Sequence, residues 1–337
     1  MRLRRSDCSG PGLRRVRRGR GFSYLDERGK QIKDPETLLR IRELAIPPAW
    51  QDVWICSDPR GHLQATGTDA AGRKQYLYHA RWRERRDREK FDRALRFARA
   101  LPRLRRQVSA EIEGDGLERE QVLACATRLL DRGLFRVGSE QYAGEDGGYG
   151  LATIRREHVT VQNGSVVFDF PAKSGIRRLQ SVEDPQCAKI MRALKRRRSG
   201  DALLAYRNGR RWATVRSDDI NEYLKGHIGE EFSAKDFRTW NATVLAAVAL
   251  ATEDDGERAG TKTARRRRVN AALREVAEML GNTPAVARRA YIDPRVFDRY
   301  LAGTTIAPAL RRIKRPDLDD DRTRGRIERA VVALLSG

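Results

Sequence analysis

The sequence predicts an α+β protein: a small N-terminal domain containing a β-sheet, then a larger, mainly α-helical domain with a small sheet set into it. Three observations predict this. Between residues 22 and 65, short apolar segments alternate with turn residues, as short strands and their loops do. From residue 80 onward, apolar residues recur at spacings of three and four, the period of an amphipathic helix. Within that second part, Asn163-Gly164 lies between two runs rich in β-branched and aromatic residues, which is the signature of a tight hairpin. A chain of 337 residues has room for two domains of ordinary size.

The elements follow in order. Residues 1–21, rich in arginine and glycine, read as a basic, flexible arm. The N-terminal domain then covers residues 22–101, with strands expected at Phe22–Leu25, Val53–Cys56 and His62–Gly67. A long charged helix is expected over Ala80–Ala100, broken near Asp87. Pro102 sets the boundary, because a proline and the residue before it resist helix. The second domain covers residues 102–315. It opens with a helix over Glu120–Leu130 that Gly133 ends, followed by the hairpin His158–Gln162 and Ser165–Phe170. Lys173 sits in the next loop, and Ile176–Val182 returns as a third strand. Asp184-Pro185 starts a helix by cap and N1 proline. Asn208-Gly209 is a second tight turn, and Ser217 caps another helix. Ser233 and Asp236 form a capping box, with Arg238 one turn inside its helix. Phe237, Trp240, Val244, Leu245 and Val248 are that helix's buried stripe. Val269, Leu273, Val276 and Leu280 face inward from the next. Gly281-Asn282 stops that segment, Thr283 caps a new helix and Pro284 is its first residue. About two turns on, it presents Arg288, Arg289 and Tyr291. Residues 316–337 read as a charged tail ending in a helix.

Composition narrows the function. The chain has 69 Lys and Arg against 46 Asp and Glu, a net charge of +23. A surplus spread along the whole chain points to a polyanion, and nucleic acid is the usual one. No apolar run approaches the ~18 residues of a membrane span, and the N-terminus lacks the apolar stretch of a secretory signal; a cytoplasmic, nucleoid location and no membrane partner are expected. Cys8, Cys56, Cys125 and Cys187 form no C-x-x-C pair, and His62, His79, His158 and His227 have no ligand spacing. No phosphate-cradling G-x-x-x-x-G-K-[ST] loop is present. No metal, ATP or other cofactor is therefore expected. A phenol beside two guanidiniums in so basic a chain points to a tyrosine that meets phosphate.

Six segments carry a resemblance. They are Ile46-Pro-Pro-Ala-Trp50, Gly72-Arg-Lys-Gln-Tyr-Leu-Tyr78, Leu134-Phe-Arg-Val-Gly138, Asp169-Phe-Pro-Ala-Lys-Ser-Gly175, Ala234-Lys-Asp-Phe-Arg-Thr-Trp240, and Gly281-Asn-Thr-Pro through Arg289-Ala-Tyr291. In this order and spacing, from about residue 22 to 310, the chain resembles the type IB DNA topoisomerases of the short bacterial and poxvirus kind. The resemblance implies that the helical domain has the tyrosine recombinase/topoisomerase IB core. It implies a catalytic set of Arg136, Lys173, Arg238, Asn282 and Tyr291. The fourth position is often histidine in viral and eukaryotic members; Asn282 departs from those, and its neutral amide can donate a hydrogen bond but adds no charge and supplies no proton.

The implied reaction is transesterification: Tyr291 attacks a DNA phosphodiester, forms a 3′-phosphotyrosyl link and frees a 5′-hydroxyl that later reverses the step, without ATP or metal. Arg136 and Arg238 suit the extra negative charge of the transition state, with Asn282 as an added donor. Lys173 is the general acid toward the leaving 5′-oxygen. The same family places DNA contacts at Arg73, Lys74, Tyr76 and Tyr78, to which Arg288 and Arg289 are added here. It implies a monomer that closes as a clamp around double-stranded DNA, residues 22–101 forming the clamp domain. Two rivals remain open at this point. A tyrosine recombinase shares the core and the nucleophile, but its second arginine usually follows a histidine by three residues, and here Lys235 holds that place. A non-catalytic basic DNA-binding protein would bind DNA without forming an adduct.

Overall fold

The computed structural model describes residues 2–140, 143, 148–252, 261–313 and 317–337. It divides into two units between Lys90 and Phe91. In the first, β1 (Leu13–Arg18), β2 (Gly21–Leu25), β3 (Gln51–Ile55), β4 (Leu63–Thr68) and β5 (Lys74–Tyr78) form one antiparallel sheet, ordered β2-β1-β3-β4-β5. Helix α1 (Pro35–Glu43) begins as its sequence dictates: Asp34 accepts from Thr37 N at 2.8 Å, and Pro35 follows. Its Ile41 joins Leu13, Val53, Ile55 and Ala65 in a small core.

The reading of residues 1–21 as a flexible arm is corrected. Strand β1 lies second in the sheet and is paired on both sides. Ahead of it, Arg4 N donates to Arg60 O at 2.8 Å and Ser6 Oγ to Leu63 O at 2.9 Å. Arginine hides the strand because one of its arginines points inward. Arg15 donates to the carbonyls of Ile46, Pro47 and Trp50, the last at 2.6 Å, so a charged residue occupies a structural position. Gly12 is required where the segment crosses Trp54, since a Cβ there would come within 2.1 Å of the indole nitrogen.

Helix α2 (Ala80–Glu111) corrects two further expectations: it does not break near Asp87, and it runs through Pro102. The apolar stripe explains why. Phe91, Leu95, Phe97 and Leu101 are buried before the proline, and Leu104 and Val108 after it, while Pro102 itself faces solvent. Continuous burial outweighs the one hydrogen bond that the proline removes. The division between the units thus falls before Pro102.

The second unit is built on α3 (Arg119–Gly133) and α6 (Ala234–Thr252), which pack together and are buried on nearly all sides. The stripe expected on α6 is broadened: Phe237, Trp240 and Val244 are buried, as are Ala242, Ala246 and Ala247, while Leu245 and Val248 are only partly covered. Strands β6 (Val159–Gln162), β7 (Ser165–Pro171) and β8 (Arg177–Glu183) make an antiparallel sheet. Asn163 (φ 45°) and Gly164 (φ 82°) supply the two left-handed residues of its first turn. Then come α4 (Pro185–Lys195), the hairpin β9 (Ala205–Asn208) and β10 (Arg211–Thr214), and α5 (Ser217–Ile228). Ser217 is the first residue of α5 and not its cap, a place that Arg216 takes. Helices α7 (Lys262–Leu280), α8 (Pro284–Ala290), α9 (Pro294–Leu301) and α10 (Ala307–Leu310) follow.

The last helix, α11 (Asp321–Ser336), is more than a tail: Ile327 and Val331 are fully buried. Arg324 donates to Asp131 Oδ1 at 2.9 Å and to Asn241 Oδ1 at 3.1 Å, and Glu328 accepts from Arg105 and from the Trp240 indole. Burial would raise the pKa of Asp131, but Arg324 and Arg105 outweigh it and hold it at about 2. This network ties α11 to α2, α3 and α6. No described helix is long and apolar enough to cross a membrane.

Candidate active site

Four of the five expected catalytic residues meet at the end of α7. Helix α3 ends at Leu134, which adopts a left-handed conformation (φ 54°). The turn sends Phe135 into the core against Phe168, ring centroids 4.7 Å apart, and Arg136 follows it. Arg136 is pinned by its backbone: its carbonyl accepts from Leu151 N at 2.8 Å, and the Val137 carbonyl from Ala152 N at 2.7 Å. Arg136 Nη2 donates to Asn282 Oδ1 at 2.6 Å and to Gly281 O at 3.3 Å.

Arg238 comes from the first turns of α6, whose start is fixed as the sequence implies: Ser233 N and Oγ both donate to Asp236 Oδ2. Arg238 is 3% exposed. It donates through Nη1 to Leu134 O and through Nη2 to Leu280 O, the latter at 3.0 Å. Its guanidinium carbon lies 5.0 Å from the centroid of the Tyr291 ring.

Tyr291 directly follows α8. Thr283 accepts from Val286 N, Pro284 is the first helical residue, and Tyr291 N donates to Ala287 O at 3.0 Å. Thr243 of α6 fixes the exit of this turn: its Oγ1 lies 3.3 Å from the Tyr291 carbonyl and accepts from Asp293 N at 3.1 Å.

These groups shift one another electrostatically. Burial lowers the pKa of Arg238, the like charge of Arg136 adds to this, and the phenol opposes it; the result is about 10, so the guanidinium keeps its charge near neutrality. Burial pushes the Tyr291 phenol up, but the charges of Arg238, Arg136 and Lys235 outweigh it and bring the pKa below the ordinary tyrosine value. Two buried donors, Arg238 Nε and Asn282 Nδ2, have no hydrogen-bond partner among the described residues. Because Arg136 occupies Asn282 Oδ1, the amide's donor end is left for something else.

Lys173 does not touch this group. It stands exposed in the short 3-10 turn between β7 and β8, Lys173–Gly175, and its side chain makes no hydrogen bond or ion pair among the described residues. The loop is nonetheless linked to the arginine: Tyr149 N donates to Pro171 O at 2.8 Å, two residues before Leu151 binds the Arg136 carbonyl. Gly148 passes so close that a Cβ there would lie 2.2 Å from Ala172 O.

The expected DNA contacts divide. On the edge strand β5, Lys74, Tyr76 and Tyr78 share an exposed face, the two rings stacked with centroids 6.2 Å apart. Arg73 is paired to Asp69 at 3.0 Å, so its charge is partly offset within the turn. At the end of α8, Arg288 is exposed and lies over the Phe297 ring at 5.3 Å; Arg289 is exposed too. The sequence reading missed Arg178, Lys235 and Thr243. Arg178, on β8, donates to Glu278 O at 3.1 Å and to Met279 O. No motif marks it, since its partners are backbone carbonyls about a hundred residues away.

The chain is similar to known proteins along most of its length. The model of the catalytic core of eukaryotic DNA topoisomerase I matches residues 79–329, and that of the N-terminal domain of bacterial DNA topoisomerase IB matches residues 21–69. The chain therefore belongs to the type IB DNA topoisomerases, the isomerases that relax supercoiled DNA. It is 28% identical to the DNA topoisomerase 1B of Acanthamoeba polyphaga mimivirus over 294 residues, 86% of this chain and 87% of that protein. It is 21% identical to the DNA topoisomerase 1 of Rabbit fibroma virus over 83% of this chain and 89% of that one. The match to the Candidozyma auris DNA topoisomerase 1 is 32% over 161 residues, 47% of this chain and 20% of that longer protein. The recombinase and the non-catalytic readings give way to this one.

Proposed function

We propose that Tyr291 is the nucleophile of a nicking and closing reaction on double-stranded DNA. The observation that carries this is the phenol made more acidic by Arg238 and Arg136, beside two buried donors that lack a partner. The Tyr291 phenol, made more acidic by the arginines, gives its proton to water, and its oxygen bonds to phosphorus as the P–O5′ bond breaks, leaving a 3′-phosphotyrosyl link and a free 5′-hydroxyl. One phosphoester replaces another, so the step needs no ATP, and the arginines take the place that a metal fills in other phosphoryl transfers. Arg136, Arg238 Nε and Asn282 Nδ2 hold the non-bridging oxygens. Lys173, free on its loop, gives a proton to the leaving 5′-oxygen. Lys74, Tyr76, Tyr78 and Arg73 in the first unit, and Arg288 and Arg289 in the second, bind the duplex. The chain acts as a monomer clamp on nucleoid DNA, a reading supported by two separate units that each bear exposed basic residues, Lys74 in the first and Arg288 and Arg289 in the second.

Relaxation of supercoiled plasmid by the purified chain, in EDTA and without ATP, tests this. Wild type should relax it and Tyr291→Phe should not. Relaxation by both would sink the assignment of Tyr291.

A further inference from the structure

The last carbonyls of a helix have no partner inside it and must find one elsewhere. Those at the end of α7 are bound by three arginines from three separate segments. Arg178 of β8 takes Glu278 O and Met279 O. Arg238 of α6 takes Leu280 O at 3.0 Å, and Arg136 takes Gly281 O and the Asn282 side chain. The negative end of the α7 dipole faces this cluster and offsets the repulsion among three like charges. Burial and the charge of Arg136 together lower the pKa of Arg178, a sign of how close the cluster is.

Arg136 and Arg238 have a direct use for their charge at the phosphate, whereas Arg178 is committed to backbone. Its Nη1 also lies 3.0 Å from where a Cβ of Gly281 would stand, and Gly281 has φ 60°. Only glycine fits both the left-handed turn and the guanidinium above it. The residue after that glycine is Asn282. Arg178 itself pairs with Phe170 at the turn end of the β7–β8 hairpin, next to the Lys173–Gly175 turn. One side chain therefore fastens the lysine hairpin to the turn that presents Asn282.

We propose that Arg178 is a positioning residue for strand cleavage: it holds the α7 end so that Asn282 meets the scissile phosphate and moves in step with the Lys173 hairpin. This rests on the roles proposed above for Asn282 and Lys173. Arg178 touches no reacting atom, and its effect runs through Asn282.

The test is single-turnover cleavage of a duplex from which the leaving strand escapes, using the full chain with Arg178→Ala, Arg178→Lys, Asn282→Ala and the Arg178→Ala/Asn282→Ala double variant. Misplacement of a donor by an ångström predicts that Arg178→Ala slows cleavage about 10- to 100-fold. The double variant should be no more than about twofold slower than Asn282→Ala, because the two changes remove one function. Arg178→Lys keeps one donor to the carbonyls and should fall between wild type and Arg178→Ala. If Arg178→Ala fails to fold, Arg178→Lys must show the same non-additivity with Asn282→Ala. Multiplying rate losses in the double variant, or a wild-type rate for Arg178→Ala while Asn282→Ala is slow, overturns the proposal. A wild-type rate for Asn282→Ala overturns the assigned role of Asn282 and this proposal with it.

Discussion

Arg136 and Arg238 act on Tyr291 through charge as well as through contact, and the two effects separate by pH. Removing a positive neighbour favours the neutral phenol, so Arg136→Ala should move the alkaline rise of the cleavage rate to higher pH. The rate at its plateau should also fall about 10²- to 10³-fold, the usual cost of one lost transition-state donor. Single-turnover rates across the range from about pH 6 to pH 10 would show both; a fall with no displacement of the rise would mean that Arg136 does not act on the phenol. At this scale the sequence was informative where a residue belongs to a motif. Arg136, Arg238, Asn282 and Tyr291 were readable, and the structure brings them together. Arg178 was not: it is one of 69 basic residues, and a side chain that binds carbonyls leaves no pattern. Arg15, turned inward onto three carbonyls, was hidden for the same reason.

Among the elements, those set by local chemistry were legible and those set by tertiary burial were not. Asn163-Gly164 made its turn, Asp184-Pro185 and Thr283-Pro284 began their helices, and Ser233 paired with Asp236. Helix α2 runs through Pro102 because burial on both sides of it decides the matter, and a window of sequence cannot see that burial. The β7–β8 hairpin belongs to both groups: its turns are local, but the position of its tip relative to the arginines is not. If Lys173 acts from that tip as an acid, Lys173→Ala should slow cleavage of ordinary DNA about 10²- to 10⁴-fold. On DNA with a sulfur in place of the bridging 5′-oxygen, a leaving group that needs no proton, most of that loss should vanish. Equal losses on both substrates would place Lys173 in binding instead.

For the molecule as a whole, charge announced the partner and concealed part of the architecture. A surplus of +23 called for a polyanion, and the family it belongs to acts on DNA. The same arginine density masked β1, and it disguised α11 as a tail although Arg324 and Glu328 bind α3, which Arg136 follows, and α6, which carries Arg238. The proposed reaction converges on one oxygen, the Tyr291 hydroxyl, and on the bond assigned to it. The most direct measurement is to trap the chain on a nicked duplex whose leaving strand escapes, digest it with trypsin and locate the nucleotide by mass spectrometry. A 3′-linked nucleotide is expected on the peptide Ala290–Arg295, which contains Tyr291 as its one tyrosine. A nucleotide on any other peptide, or one linked through its 5′ end, would contradict that assignment.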